Sequence, residues 1–513
     1  MNANISIPKR LKTAGAVVLI LAGIKLLLHL LTAGNYGLFV DELYFLACGQ
    51  HLAWGYVDMP PLTAALARLA RLVFADSVAG IHVIPALTGA GLMLEVGWLV
   101  KELGGKVFAQ LLAGVCVIVA GVFLTVHSYL SMNAVEPLIW LGCAAVLVRL
   151  VRTEQNKLWI WFGALAGLGL MNKNTMLMFG ASIVIGLLLT PARKWLFNRW
   201  FVVGGIIALL IFIPNLIWMI QHQFPMFELL ANIRTSGRNV QLNLLQFLGD
   251  EVLFLQPLTL PVWLGGLAWY FFHPQGKKFR FLGWTFIIVL GILLITQGRT
   301  YYLAPAFPML LAAGAVWMEG ALSSKMAWLK PAYLFILVVG GAITTPLFLP
   351  LLSPESYIGY TERLHLRQPK IETFRESALP QLFADRFGWP EMAQVLQKVF
   401  QSIPPEEQGK AVILAGNYGQ AGAVDFYGPK LGLPRAISGH QNYFYWGLRG
   451  YSGDVVIAIG MNSEVLHRYY KDVIYAGQTY HPYAMAYENT PIYICRNPKE
   501  PLQDVWGEIK NWN

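Results

Sequence analysis

Three carboxylates, Asp41, Glu42 and Asp58, fall in one stretch just after the first long apolar segment. A carboxylate at a membrane–water boundary is costly to desolvate unless something pairs or uses it. Held near an acceptor hydroxyl, such a group can act as a general base. Asp41 also suits a helix N-cap, and the two roles are compatible. Asp58 precedes Met59-Pro60-Pro61. With the imidazole of His222 it offers the oxygen and nitrogen donors that a divalent metal accepts; a second helix cap before the proline pair is the alternative. Asn133 and Glu136 open a later apolar segment, where an acid faces the protein interior or a wet cavity, or pairs with a cation. Lys173 and Arg299 each end an apolar segment, and neither has an acidic neighbour along the chain. Cations there can grip a lipid phosphate, arginine bidentately, or snorkel to headgroups.

The elements that must position these groups are mostly apolar. Of 513 residues only 13% are charged and 56% are hydrophobic, against about 25% charged in a soluble globule. About eleven segments are long enough, or nearly so, to span a bilayer: 13–33, 79–100, 107–126, 132–150, 158–172, 175–190, 200–220, 251–272, 281–297, 301–320 and 327–349. The net charge of +10 does not point to nucleic acid, because the basic residues sit between apolar segments, as topology signals do, rather than on one exposed face. Alternate loops carry most of the lysine and arginine, for example Arg149, Arg152 and Lys157, or Lys277, Lys278 and Arg280. Those loops are cytoplasmic by the positive-inside rule. The Asp41 loop and, with an odd number of spans, the tail from about residue 351 are then extracytoplasmic. The basic front at Lys9, Arg10 and Lys12 resembles a signal peptide, but the apolar run is long and lacks a clear cleavage site, so it reads as a retained helix.

Residues 41–52 and the run after Pro60-Pro61 predict two amphipathic helices on the membrane surface, the first with a stripe at Leu43, Leu46 and Ala47, the second with Leu62, Leu66, Leu69 and Val73. A second outer loop, 221–249, holds His222, Glu228, Arg234 and Arg238, and is long for a structureless connection. In the tail, 411–415, 454–459 and 491–495 read as buried strands and 391–400 as a helix, giving a small α/β domain. Gly416, Gly419 and Gly422 follow a strand; a tight strand-to-helix turn explains them better than a phosphate cradle. Cys48, Cys116, Cys143 and Cys495 match no metal or disulfide pattern.

The Asp41-Glu42 pair, Asp58-x-Pro60-Pro61, the 170–175 stretch and Tyr301-Tyr302-Leu303-Ala304-Pro305 resemble bacterial relatives of the protein O-mannosyltransferases and the lipid A aminoarabinose transferases, in glycosyltransferase family 39. The resemblance covers about residues 10–320. It implies a polytopic α-helical membrane protein of the GT-C fold; the segments read above give it about eleven transmembrane helices (residues 1–350) and a C-terminal soluble α/β domain (residues 351–513). It implies a polyprenyl-phosphate sugar donor, an inverting transfer outside the cytoplasm of a bacterium, and an active site at the outer face of the inner membrane. Carried over by position, Asp41 is the base or orients the acceptor, supported by Glu42; Lys173 and Arg299, with Tyr301 and Tyr302, hold the donor phosphate; Asn133 and Glu136 are acceptor or supporting residues. Asp58, with His222, is the candidate site for a divalent metal. Met59 stands where the aminoarabinose transferases have a lysine, and Asn133 where many relatives have an acid. The acceptor, whether protein, lipid or glycan, is not implied. The rival reading is a transporter or flippase of lipid-linked sugars, which usually shows repeated halves and broken helices near the midplane; no repeat is present here.

Overall fold

The computed structural model describes residues 9–237, 240–322, 324–365, 372 and 376–512; Arg238 of the second loop lies outside them. Among the described residues seven helices are long and apolar enough to cross a membrane: Gly15–Thr32, Val78–Glu102, Met132–Thr153, Arg199–Gln221, Lys277–Thr296, Thr300–Ala321 and Leu329–Leu347. Three shorter apolar helices, Val107–Val119, Leu158–Asn172 and Thr175–Leu188, take up three more of the expected segments. The remaining one, 251–272, was expected as a single span. It is instead a pair of helices, Leu244–Phe254 and Pro257–Phe272, bent by 99°. Gln256 between them has φ +72°, a left-handed conformation uncommon outside glycine, and Pro257 supplies no N–H to carry the helix on.

The chain divides into two compact units. The first comprises Met1–Ala33, His82–Leu216 and Gln241–Leu351 and holds the bulk of the apolar helices. Its helices approach closely where small residues allow it. A Cβ on Gly314 would lie 1.7 Å from the Val262 carbonyl oxygen, and one on Gly266 2.0 Å from that of Leu310. Helices that pack in lipid favour such contacts because backbone proximity, not hydrophobic expulsion, drives their association. Lys25 and His29 are fully or almost fully buried in helix α1, Lys9–Thr32. Lys25 Nζ donates to the Phe123 carbonyl at 3.1 Å, and His29 Nε2 lies 3.1 Å from the Leu124 carbonyl. These carbonyls belong to the short helix Gly121–Val126, whose last turn has no intrahelical donors to satisfy it. The two side chains therefore cap a helix end.

The second unit comprises Gly34–Ile81, Ile217–Val240 and Leu352–Asn513. Its sheet has the order β2-β1-β3-β5-β4, with β1 Ala411–Ala415, β2 Ala436–Ile437, β3 Val455–Ile459, β4 Tyr470–Gln478 and β5 Pro491–Pro498. β1 pairs in parallel with β2 and β3, while β5 runs antiparallel to β3 and β4. β1 and β3 are buried along their whole length, as an apolar run covered on both faces must be. β4 was not expected. It lies at the edge, and most of its residues are partly or fully exposed, so it lacks the apolar run that marks its neighbours. The expected helix spans Trp389–Gln401.

Helix α2, Val40–Gln50, and helix α3, Leu62–Phe74, match the two helices expected in the first loop. α2 is not a surface helix, however: every residue except Asp41 and Gln50 is buried, Glu42 included. The tail helix Tyr418–Tyr427 packs on it. A Cβ on Gly422 would lie 2.7 Å from the Leu43 carbonyl carbon, and one on Gly419 2.4 Å from Val40 Cγ2. Gly419 and Gly422 thus serve close helix packing, while Gly416 meets the Gly460 backbone; they follow a strand-to-helix turn in which Asn417 Oδ1 accepts from the Gln420 N–H at 2.9 Å. α3 buries Thr63, Ala64, Ala67 and Ala70 and turns Leu69, Leu72 and Val73 outward, each at least half exposed, an apolar face suited to lipid. The chain's last residues bind the loops together: Asn232 Nδ2 donates to the Trp512 carbonyl at 2.7 Å, and Lys510 pairs with Glu228 at 2.7 Å.

Candidate active site

In the second unit the acids sit at the start of α2 and in the loop after it. Glu42 occupies the third helical position and its Oε2 accepts from the Phe39 N–H at 2.8 Å. It does the capping that sequence reading offered to Asp41. Asp41 stays partly exposed, and its Oδ1 accepts a hydrogen bond from the Tyr418 hydroxyl at 2.7 Å. Tyr418 comes from the tail, and no motif points to it. Its ring lies 5.0 Å from Tyr44 and 4.8 Å from His440, and its N–H donates to His440 Nδ1 at 3.1 Å. Tyr44, fully buried, donates through its hydroxyl to Asp58 Oδ1 at 2.9 Å. Two carboxylates are therefore each held by a tyrosine hydroxyl, and the two rings touch.

The environments of these groups differ. Burial pushes the Asp58 carboxyl up to about 7, with the Asp41 charge adding to the rise and the Tyr44 hydrogen bond opposing it. Burial, and then the neighbouring Asp58, hold the Tyr44 phenol well above its ordinary range. A carboxyl near 7 beside a second carboxylate is an arrangement that can divide proton-carrying and proton-accepting roles.

The first unit holds the candidate cations. Lys173 follows the helix Leu158–Asn172 and breaks it from Thr175–Leu188. Its Nζ lies 2.8 Å from Glu136 Oε2 and donates to Asn133 Oδ1 at 2.8 Å, and it sits 4.0 Å from the centre of the Tyr302 ring. The Thr175 hydroxyl donates to the other Glu136 oxygen. Sequence distance had left Lys173 without an acidic partner; the fold supplies Glu136 from 37 residues away. Arg299 Nη1 is 3.4 Å from the Tyr301 hydroxyl, and the Tyr301 and Tyr302 rings meet edge to face at 4.8 Å. Lys173, Asn133, Glu136 and Tyr302 thus come together, with Arg299 beside Tyr301.

Residues 58–218 match the family model described as dolichyl-phosphate-mannose-protein mannosyltransferase. Among solved structures, ArnT from Cupriavidus metallidurans bound to undecaprenyl phosphate aligns over 93% of this chain and 97% of its own, at 13% identity and a TM-score of 0.58. Its apo form aligns over the same shares at 12% identity and a TM-score of 0.60. The fold is that of the GT-C glycosyltransferases. The likeness read from the motifs is what the comparisons return, and the family match supports a membrane glycosyltransferase. No curated protein matches the chain.

Within this GT-C chain the family match includes Asp58, Asn133, Glu136 and Lys173, and leaves out Asp41, Arg299 and the whole tail. The residue set fits a metal poorly. Among the described residues no group of three or more His, Cys, Asp or Glu side chains could hold an ion. His222 stacks on Trp218 at 4.0 Å, contacts Tyr445 edge-on at 5.1 Å, and donates from Nδ1 to the Trp218 carbonyl at 2.8 Å. Asp58 is taken up by Tyr44. No step of the chemistry is routed through a metal here.

Proposed function

We propose that this protein transfers a sugar from a polyprenyl-phosphate donor to a hydroxyl of an extracytoplasmic acceptor, with inversion. The observation that carries the reading is the Asp41 carboxylate, partly exposed in the first turn of an otherwise buried helix and held there by a phenol. The undecaprenyl phosphate bound to ArnT supports a donor of that class. The acceptor oxygen bonds to the anomeric carbon as the bond from that carbon to the phosphate oxygen breaks. Asp41 takes the acceptor's proton, and polyprenyl phosphate leaves with the bonding electron pair. Arg299 and Lys173, with Tyr301 and Tyr302, hold the donor phosphate, where positive charge stabilises the departing anion. Lys173 is paired with Glu136 in the fold, and that pairing offsets part of the charge it offers the phosphate. Residues 1–350 form the membrane domain of a bacterial inner-membrane enzyme and 351–513 its extracytoplasmic domain, a topology supported by the basic-loop asymmetry.

The test is release of undecaprenyl phosphate from a panel of undecaprenyl-phosphate-linked sugars by the purified protein in proteoliposomes, with cell-envelope extract as acceptor. The wild type turns over one or more donors, and Asp41→Asn is slower by about a hundredfold or more. Equal turnover by the mutant removes Asp41 as base.

A further inference from the structure

The tail places one hydroxyl, that of Tyr418, on the Asp41 carboxylate. Tyr418 opens the helix Tyr418–Tyr427 directly after Asn417, whose side chain caps that helix. The same helix lies against α2 through Gly419 and Gly422, where no larger residue fits without displacing Val40 or the Leu43 backbone. Close packing thus fixes the distance between the two helix starts, and with it the 2.7 Å contact from the Tyr418 hydroxyl to Asp41 Oδ1. The Tyr418 ring is itself held between Tyr44 and His440. Its backbone N–H is taken by His440 Nδ1. A ring packed against two neighbours and fixed at its backbone has little freedom to turn its hydroxyl elsewhere.

We propose that Tyr418 is a positioning residue for Asp41: the tail holds the carboxylate in one orientation and in its charged form, so that the C-terminal domain completes the acid centre. The inference rests on the reading of Asp41 as base. A hydrogen bond donated to a carboxylate favours its ionised form. That matters as Asp58 ionises, because a second negative charge nearby pushes the Asp41 proton affinity up. The titratable groups around the pair are Tyr44, Asp58 and His440, with Glu42 adjacent in the chain and engaged by the Phe39 N–H.

The experiment reads the protonation of Asp41 directly. Full-length protein in detergent is amidated with a water-soluble carbodiimide and glycine methyl ester between pH 3 and 8, and labelling of the Asp41 peptide is quantified by mass spectrometry. Exposed Glu406 is the internal reference. In Tyr418→Phe, which keeps the ring packing, the midpoint for Asp41 labelling should rise by about one pH unit or more, with Glu406 unmoved. Replacing Tyr418 by 3-fluorotyrosine, whose phenol is the stronger donor, should move the midpoint down. Transfer by Tyr418→Phe, measured as undecaprenyl phosphate release, should lose kcat at low pH and recover as pH rises, with donor KM unchanged. An unchanged Asp41 midpoint in both variants overturns the inference, even where Asp41→Asn is inactive. Turnover by Asp41→Asn instead refutes the base assignment, and the labelling shift then reports on Tyr418 independently.

Discussion

Replacing Lys173 by Met leaves the Glu136 carboxylate buried without its cation. The pair is tight, at 2.8 Å, and its side chains are only 11% and 3% exposed. Two unit charges about 4 Å apart attract by about 4 kcal/mol at an effective dielectric of about 20. Removing one member of a buried pair costs about 3–5 kcal/mol, because the other is left uncompensated. Lys173→Met and Glu136→Gln should therefore each destabilise the protein by about that amount, and the double mutant should recover most of the loss. Denaturant unfolding in detergent, followed by tryptophan fluorescence, measures the cycle. Undecaprenyl phosphate binding by the same purified variants then separates two roles for Lys173. If Lys173 meets the donor phosphate, Glu136→Gln unmasks its charge and tightens binding by about tenfold, a change of about 1.4 kcal/mol, while Lys173→Met weakens it. If both variants bind the lipid as the wild type does, Lys173 serves Glu136 alone and the phosphate assignment is wrong. Single mutants as stable as wild type would refute the argument from burial.

Asp58 makes stability depend on pH with a definite sign. Its carboxyl sits at about 7 in the fold against an ordinary value of 3.8, so between these values the folded chain holds a proton that the unfolded chain has released, and stability falls as pH rises through this window and levels off above it. Asp58→Asn keeps an acceptor for Tyr44 and should flatten the slope, gaining melting temperature at pH 8 relative to wild type and little at pH 4; identical slopes for both proteins would show that Asp58 is ionised throughout. Gly422→Ala drives a methyl group to within 2.7 Å of the Leu43 backbone and should cost about 1–3 kcal/mol through overpacking, read as a lower melting temperature in detergent, whereas Gly409→Ala, with open space around it, should not.

What the sequence determined by itself was whatever depends on local composition and period. Long apolar runs fix membrane helices because backbone polar groups in lipid must be satisfied within the segment. Pro60-Pro61 sets the start of α3, and β1 and β3 show as unbroken apolar runs. The acids of the first loop stood out because charge is rare in this chain. Tertiary structure decided the partners. Glu136 finds Lys173 across 37 residues, and Asp41 finds Tyr418 across 377, distances at which no spacing rule operates. α2 has the pattern of a surface helix and is buried because a glycine-lined helix from the tail covers it. The bend before Pro257 and the edge strand β4 were hidden for the same reason: a single left-handed residue and an exposed strand leave no periodic trace. Local chemistry named the candidate groups; only long-range packing decided which of them are held, and by what.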